Sequence, residues 1–467
     1  MTDGSTDIVL SLISHTNIGK TTLTRTLLKA DVGVVRDEAH VTDRSEVFVM
    51  LAKDRDRLLL WDTPGFGQIN KLLKRLEQEG GALGWIMHEV IDRSTNRSLY
   101  FSLEAARNVR READVVLYLV NVREHPRDAG YVHQELQLLE ALGKPVIMLL
   151  NQIEEGHMEK EGHLTALIQS WQDHFKGFSR VKRVTPLDAF TRSWRQELKM
   201  MDLVSEYIPT HKQKALARLR SHFVQAQKTL FAACAAAAAG VYLFAARQAY
   251  RRTQQEKPKQ LFERLVGELQ VQLDAYLVVL MEKHGLAAEG NAAFGADVKQ
   301  VNGLFANPIE EKKTGLLAGA LTSAGSGLMA DILSGGLTFG GGVLLGFLGG
   351  YLGGLSYAKL WNFVNQQGTI RWNEAALGQL VKLLLSYYLL AAFHGRGKGL
   401  VQLGQPAPFI SKAVERFWPT VEKRVIKLIG EAVSLNDDAD EKRWRGVFVE
   451  RFEEMTEAVQ QEFYPGF

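Results

Sequence analysis

Asp7-Ile-Val-Leu-Ser-Leu-Ile13, Ser14-His-Thr-Asn-Ile-Gly-Lys-Thr21 and Thr22-Leu-Thr-Arg-Thr-Leu-Leu28 follow one another with three different patterns. The first is a nearly continuous apolar run, as a buried strand requires. The second is a polar loop, and the third has the period of an amphipathic helix. The loop fits the phosphate-binding pattern G-x-x-x-x-G-K-[ST] at every place but the first, where Ser14 replaces Gly. Gly19 lets backbone N–H groups close around phosphate oxygens. Lys20 is a point charge for β- and γ-phosphates, and Thr21 an oxygen ligand for Mg²⁺. The helix that follows adds its positive N-terminal dipole.

A second pattern supports the first. Arg57-Leu-Leu-Leu-Trp61 reads as a buried strand ending in Asp62-Thr-Pro-Gly65. A carboxylate at that strand end holds the Mg²⁺ shell, and the Gly65 N–H meets the γ-phosphate. Together the two patterns imply a P-loop nucleoside triphosphatase. Ile18, Gly19, Lys20, Thr21 and Thr22 then line the phosphates. Lys20 and Thr42 are the candidate catalytic residues; Thr42 lies in the polar stretch 29–45, where a mobile switch loop should supply a Thr to Mg²⁺ and the γ-phosphate. Thr21, Thr42 and Asp62 form the expected Mg²⁺ set.

Composition bounds the rest. The 467 residues leave room for several domains, and 46% apolar with 23% charged residues describes a folded rather than disordered chain. A net charge of +3 does not call for nucleic acid, which is not expected as a partner. The single cysteine, Cys234, permits no intrachain disulfide and fits a reducing cytoplasm. The stretch Met1–Asp7 lacks the pattern of a signal peptide, so a cytoplasmic start is expected.

Strand Glu46–Leu51 should pair with Arg57–Trp61 as an antiparallel hairpin. Residues 66–112 hold helical patterns at Leu72–Leu83 and Leu103–Arg111 and read as an enlarged second switch. Then come the strand Asp114–Val122, a helix near Tyr131–Leu142, the strand Pro145–Leu150 and a helix across Leu164–His174. Such alternation gives a mostly parallel sheet with helices on both faces.

The last of these strands ends in Asn151-Gln-Ile-Glu154. Guanine-specific P-loop proteins carry N-K-x-D here: the amide and the carboxylate read the base edge, and the Lys stem covers its face. This chain keeps an amide and an acid, with Gln152 in place of Lys. Adenine has no donor at N1 for a carboxylate, so guanine is favoured. The carboxylate is either Glu154 or Asp188. Asp188 lies in Arg183–Phe190, where a final loop should cover the base, and it is also placed to cap a helix starting near Thr191.

Ser14–Thr21, Asp62–Gly65 and Asn151–Glu154 together resemble the Era-like branch of translation-factor-type GTPases, over about residues 5–205. The resemblance implies GTP and GDP as ligands and GTP hydrolysis with Mg²⁺. Phe66 stands where Ras-like members hold a catalytic Gln, a place typically apolar in the Era-like branch. Asn17 matches the P-loop Asn that binds K⁺ beside the phosphates in several members. Hydrolysis should then be slow without K⁺ or a partner.

From about 206 helical patterns dominate. Residues 211–228 are basic and amphipathic, and 229–246 carry no charge, as either a tightly packed or a membrane helix would. Residues 257–284 show Leu261, Leu265, Leu269 and Leu273 on one face. In 315–358 small residues recur at Gly315, Gly319, Ser323 and Gly327 and at Gly342, Gly346, Gly350 and Gly354. This is a glycine-zipper hairpin with Asp331 at its turn, either inserted in a membrane or buried in a helical domain. His394-Gly-Arg-Gly-Lys-Gly399 is a basic loop for phospholipid head groups or a solvated linker. Phe409–Ala432 and Glu441–Phe463 read as amphipathic helices about an acidic linker, Asn436–Asp440. The order Asn-Pro-Ile (307–309), hairpin and basic loop also resembles an uncharacterised bacterial C-terminal domain attached to such GTPases.

The expected fold is an α/β P-loop G domain over 1–205, a helical stalk or linker over 206–300 and a helical domain over 301–467. The expected function is a GTP-hydrolysing switch coupled to a helical domain at the cytoplasmic side of the inner membrane, peripheral or integral. Its partner would be lipid or an inner-membrane protein, and homodimerisation is left open. The alternatives are a soluble assembly factor acting on RNA or ribosomes, and a nucleotide-controlled membrane scaffold or pore.

Overall fold

A computed structural model describes residues 6–15, 18–29, 46–63, 65–78, 86, 96–153, 163–187, 189–251, 258–286, 365–366, 369–395, 408–435 and 437–463. The chain divides into two compact units, one of residues 1–228 with 393–399, the other built mainly from 229–392 and 400–465.

The first unit is an α/β domain around a six-stranded sheet, ordered β2-β3-β1-β4-β5-β6. Its strands are β1 (Thr6–Ser14), β2 (Glu46–Lys53), β3 (Asp56–Asp62), β4 (Val115–Asn121), β5 (Val146–Asn151) and β6 (Val181–Pro186). Only the edge pair β2–β3 is antiparallel, the expected hairpin, with Val47 facing Trp61 and Lys53 facing Asp56. The continuous apolar runs of β1, β4 and β5 are buried nearly throughout, because helices cover both faces. Register then sets the site. Leu12 of β1 pairs with Asp62 of β3, so that carboxylate emerges beside the loop leaving β1. Asn121 pairs with Asn151 at the same end of β4 and β5.

The helices of this unit are α1 (Lys20–Leu28), α2 (Ile69–Gln78), α3 (Arg97–Arg111), α4 (Gly130–Leu142), α5 (His163–Phe175) and α6 (Trp194–Tyr207). Asn96 caps α3, its side chain accepting the Leu99 N–H at 3.2 Å, and α4 stops at Gly143 with φ 79°. The helix expected near Thr191 begins at Trp194, because Thr191 is spent in a β-bridge.

The unit runs on past residue 205. Helix α7 (Thr210–Arg247) is one 38-residue helix, joining the basic 211–228 stretch to the uncharged 229–246 stretch. Its Ala215, Leu216, Leu219 and Phe223 enter the core that holds Ile8, Leu10 and Leu58. Lys212 Nζ donates to both Asp114 oxygens at 2.7 and 2.8 Å, and Asp114 Oδ2 also accepts the Val9 N–H at 2.8 Å. Arg218 reaches Asp56 at 2.7 Å.

The second unit is helical: the rest of α7 with α8 (Pro258–Lys283), α9 (Glu374–Ala392), α10 (Pro408–Val433) and α11 (Asp438–Phe463). The alanine run buries Cys234, Ala235, Ala238 and Ala239, small residues that admit close neighbours. Tyr242 stacks on Trp444 at 5.6 Å, and Phe231, Tyr388 and Phe452 close a second aromatic cluster. Burial pushes the Cys234 thiol up to about 12 and leaves it unreactive.

Two details depart from expectation. A small sheet, β7 (Ala249–Arg251), β9 (Thr369–Arg371) and β8 (Asn365–Gln366), lies within this unit. It is too short for alternation to announce it. The acidic linker is in part the start of α11: Asp437 accepts the Asp440 N–H at 2.7 Å, and Asp438, Asp440 and Glu441 face the helix dipole. Among the described residues, α7 and α9 are long and apolar enough to cross a membrane by length and composition. Half of the most apolar window of α7 and 83% of that of α9 are packed inside protein. The hairpin 315–358 lies outside the described residues.

Asp114→Ala strands the Val9 N–H and the Lys212 ammonium together. It should destabilise the first unit by about 2–3 kcal/mol, and Lys212→Ala by about 1, read from the urea transition that bound GDP shifts. Equal costs for the two variants would refute the shared role of Asp114.

Candidate functional site

The site forms where β1 turns into α1. Gly19 caps α1 with φ 95° and ψ 26°, a left-handed conformation that L side chains rarely adopt. The Leu23 N–H bonds the Gly19 carbonyl at 2.9 Å, so the helix starts directly on the loop. The start of α1 therefore presents the positive end of its helix dipole at the loop, a place that favours anions.

Lys20 is 8% exposed, and its Nζ donates to Ser14 Oγ at 3.5 Å. Ser14 is fully buried, and its hydroxyl donates to the His15 carbonyl at 2.6 Å. The residue that breaks the loop pattern is thus a prop for the lysine. Burial pulls the Lys20 ammonium below its ordinary range, against the pull of Asp62 and Glu135. Burial pushes the Asp62 carboxyl up, against the pull of Lys20 and the Thr21 hydrogen bond. Burial thus works against the charged form of both groups, while each is partly offset by the other's charge.

Thr21 Oγ1 donates to Asp62 Oδ2 at 3.0 Å. Asp62 is 3% exposed, and its Oδ1 has no hydrogen-bond partner among the described residues. A buried carboxylate oxygen without a donor, next to a threonine hydroxyl, suits a hard divalent cation. Thr63 Oγ1 donates to the Leu12 carbonyl at 2.7 Å and holds the strand end in place. Gly65 and Phe66 are buried, and the Phe66 ring has no exposed surface. Phe66 therefore carries no group able to orient water.

The base side is organised by Asn151, which is fully buried. Its Nδ2 donates to the Ile18 carbonyl at 2.9 Å, and its Oδ1 accepts the Ala189 N–H at 2.9 Å. The side chain expected on the base edge thus ties the phosphate loop to the loop after β6. Thr26 Oγ1 donates to the Ala189 carbonyl at 2.9 Å and makes a second tie. Gln152 takes φ 61°, turning the chain sharply after β5. Asn17, Thr42, Glu154 and Asp188 lie outside the described residues. Thr22 sits half-buried in the first turn of α1.

A cluster behind the loop was not anticipated. Glu135 of α4 is fully buried and accepts from Tyr118 Oη at 2.7 Å. It also pairs with His15 Nδ1 at 2.8 Å, and the His15 ring lies 4.3 Å from that of Tyr131. Burial and Glu135 push the Tyr118 phenol up, so it stays a donor. A glutamate among Val132, Leu136 and Leu139 on the core face of a helix was the available signal.

Residues 9–152 match the family model described as 50S ribosome-binding GTPase. Solved structures are similar at low identity. Era in complex with MgGDPNP and a stretch of 16S ribosomal RNA is 18% identical, with a TM-score of 0.32 over 44% of this chain and 57% of that one. This chain therefore spans little over half of that protein's length. An Era variant from Aquifex aeolicus bound to GDP and AlF4⁻ is 15% identical, with a TM-score of 0.32 over 58% and 90%. The FeoB G-domain from Methanococcus jannaschii is 16% identical, with a TM-score of 0.24 over 46% and 99%. The family match and the site agree: the first unit carries a P-loop GTPase domain, which binds guanine nucleotide and hydrolyses GTP, and such domains work with Mg²⁺.

Asn151→Ala removes both bonds of the tie while leaving every phosphate-facing residue in place. GDP affinity should fall by about a hundredfold in calorimetry, and Thr26→Val should cost about tenfold. Unchanged affinity in Asn151→Ala would show that the tie does not serve the nucleotide.

Proposed function

We propose that this chain is a GTP-driven switch that couples its G domain to a helical domain working at the cytoplasmic face of the inner membrane. The observation that carries the switch is the set of Gly19, buried Lys20, half-buried Thr21 and buried Asp62. It offers an anion cradle and a cation seat side by side. In this reading Lys20 and the amides of Ile18 to Thr22 hold the phosphates, and Thr21 and Asp62 with Thr42 hold Mg²⁺. The cation neutralises charge on the β- and γ-oxygens. Gly65 offers its N–H to the γ-phosphate. Glu154 or Asp188 reads the guanine edge, with Gln152 beside the base.

Phe66 leaves water without a side-chain guide. K⁺ near Asn17, or a partner that completes the site, supplies positive charge where negative charge gathers in the transition state. Support for the membrane comes from the sequence. In 315–358 the glycine spacing would let two helices meet closely, with Leu316, Leu317, Leu344 and Leu345 off the glycine stripes of the sequence. A dimer or an inner-membrane protein as partner remains within the same proposal.

One observation favours a second reading. The matched family is described by ribosome binding, which suits an assembly factor acting on RNA or ribosomes.

Flotation with vesicles of bacterial-type anionic lipid separates the readings. The full chain should float, to different extents with GDP and with a non-hydrolysable GTP analogue, and Gly346→Leu should weaken flotation without altering GDP binding. Co-migration with the large ribosomal subunit and no flotation would replace the membrane reading by the ribosomal one. GTP hydrolysis should also run faster in potassium chloride than in sodium chloride at equal ionic strength. Equal rates would leave the partner alone to complete the site.

A further inference from the structure

Three residues from far along the chain lie against the loop after β6. The Arg192 N–H donates to the Phe393 carbonyl at 3.0 Å, and the Gly395 N–H donates to the Phe190 carbonyl at 3.2 Å. Between them His394 pairs with Thr191 in an isolated antiparallel bridge. Phe393, His394 and Thr191 are all buried, at 3%, 8% and 1% exposure. The segment is therefore laid into the unit, like a short extra strand.

The fit is closest at Gly395. A Cβ there would lie 2.2 Å from the Ala189 carbonyl oxygen and 2.7 Å from the Phe190 carbonyl carbon. Both atoms are backbone and cannot rotate away, so only glycine is admitted at this seat. Ala189 is also the residue whose N–H is held by Asn151 and whose carbonyl is held by Thr26. Three separate parts of the chain thus converge on one peptide: the end of β5, helix α1, and the residues that follow α9.

We infer that Phe393–Gly395 is a positioning segment of the nucleotide site, a strap that holds loop 189–192 in the geometry that covers the guanine base. It rests on the proposed reading of this loop as the base-side loop. Binding free energies are reciprocal, so if the seated strap favours nucleotide, nucleotide must favour the seated strap. The strap follows Ala392, the last residue of α9, with no residue between them. Seating is therefore linked through the covalent chain to the end of an apolar helix of the second unit. The two backbone hydrogen bonds are those that make up the bridge, and their opening is readable as exchange of the Arg192 and Gly395 amides.

Hydrogen exchange on the full chain, with and without GDP and Mg²⁺, tests the inference without any substitution. The Gly395 and Arg192 amides should each slow by about tenfold with GDP, together with Ala189. If amides of α1 slow but those at 189–192 do not, the base-loop reading fails. If 189–192 slow and Gly395 does not, the base-loop reading stands and the strap is overturned. Gly395→Val, which cannot seat, should release GDP about tenfold faster. It should also shrink the preference for GDP over inosine diphosphate, a ratio that general damage to the phosphate loop would leave unchanged. A folded Gly395→Val protein with wild-type release and preference contradicts the strap; if the variant does not fold, the exchange result decides.

Discussion

The side-chain amide of Asn151 joins the two halves of the nucleotide site. One amide group, sealed from water, donates to the phosphate loop at Ile18 and accepts from the far loop at Ala189. A buried amide left without either partner would cost about 1–3 kcal/mol per group, so the two loops hold their distance or the fold is strained. The rest of the site is arranged around that distance. A side chain at Gly19 would be strained by its φ of +95° and would crowd Asn151, its Cβ 3.1 Å from Nδ2. Lys20 and Asp62 are fixed by burial on the other side of the same loop.

Burial gives this site its chemistry as well as its shape. Lys20 and Asp62 sit where charge is poorly solvated, each shifted toward its neutral form. A phosphate beside Lys20 and a cation beside Asp62 would each favour the charged form that burial opposes. The cluster of His15, Glu135, Tyr118 and Tyr131 backs the loop from behind, so the cradle is held before ligand arrives. Preorganisation of this kind lowers the ordering cost of binding.

The parts legible in the sequence were those whose chemistry lies in short local patterns. The apolar strand, Gly19-Lys-Thr21 and Asp62–Gly65 announce themselves because phosphate and Mg²⁺ contacts come from adjacent residues. The sheet followed, because β1, β4 and β5 are buried on both faces and read as continuous apolar runs. Ser14 departs from the loop pattern, and only the structure shows its hydroxyl accepting from Lys20. The clamp role of Asn151 was hidden, since both of its partners are backbone groups distant in sequence. The bridge from His394 to Thr191 was hidden for the same reason: backbone pairing leaves no mark on side-chain identity except the glycine at 395. In the second unit, periodicity placed the helices α8, α10 and α11. It missed the small sheet, whose strands are too short to alternate, and it divided α7 where its composition changes rather than where its hydrogen bonding does.

The central claim is that the first unit binds guanine nucleotide in preference to adenine nucleotide. Titration calorimetry of GDP and of ADP into the full chain, in the same Mg²⁺ buffer, measures it directly. GDP should bind tighter by about a hundredfold or more, since guanine, unlike adenine, offers a donor at N1 to a carboxylate. Equal affinities for GDP and ADP would contradict it.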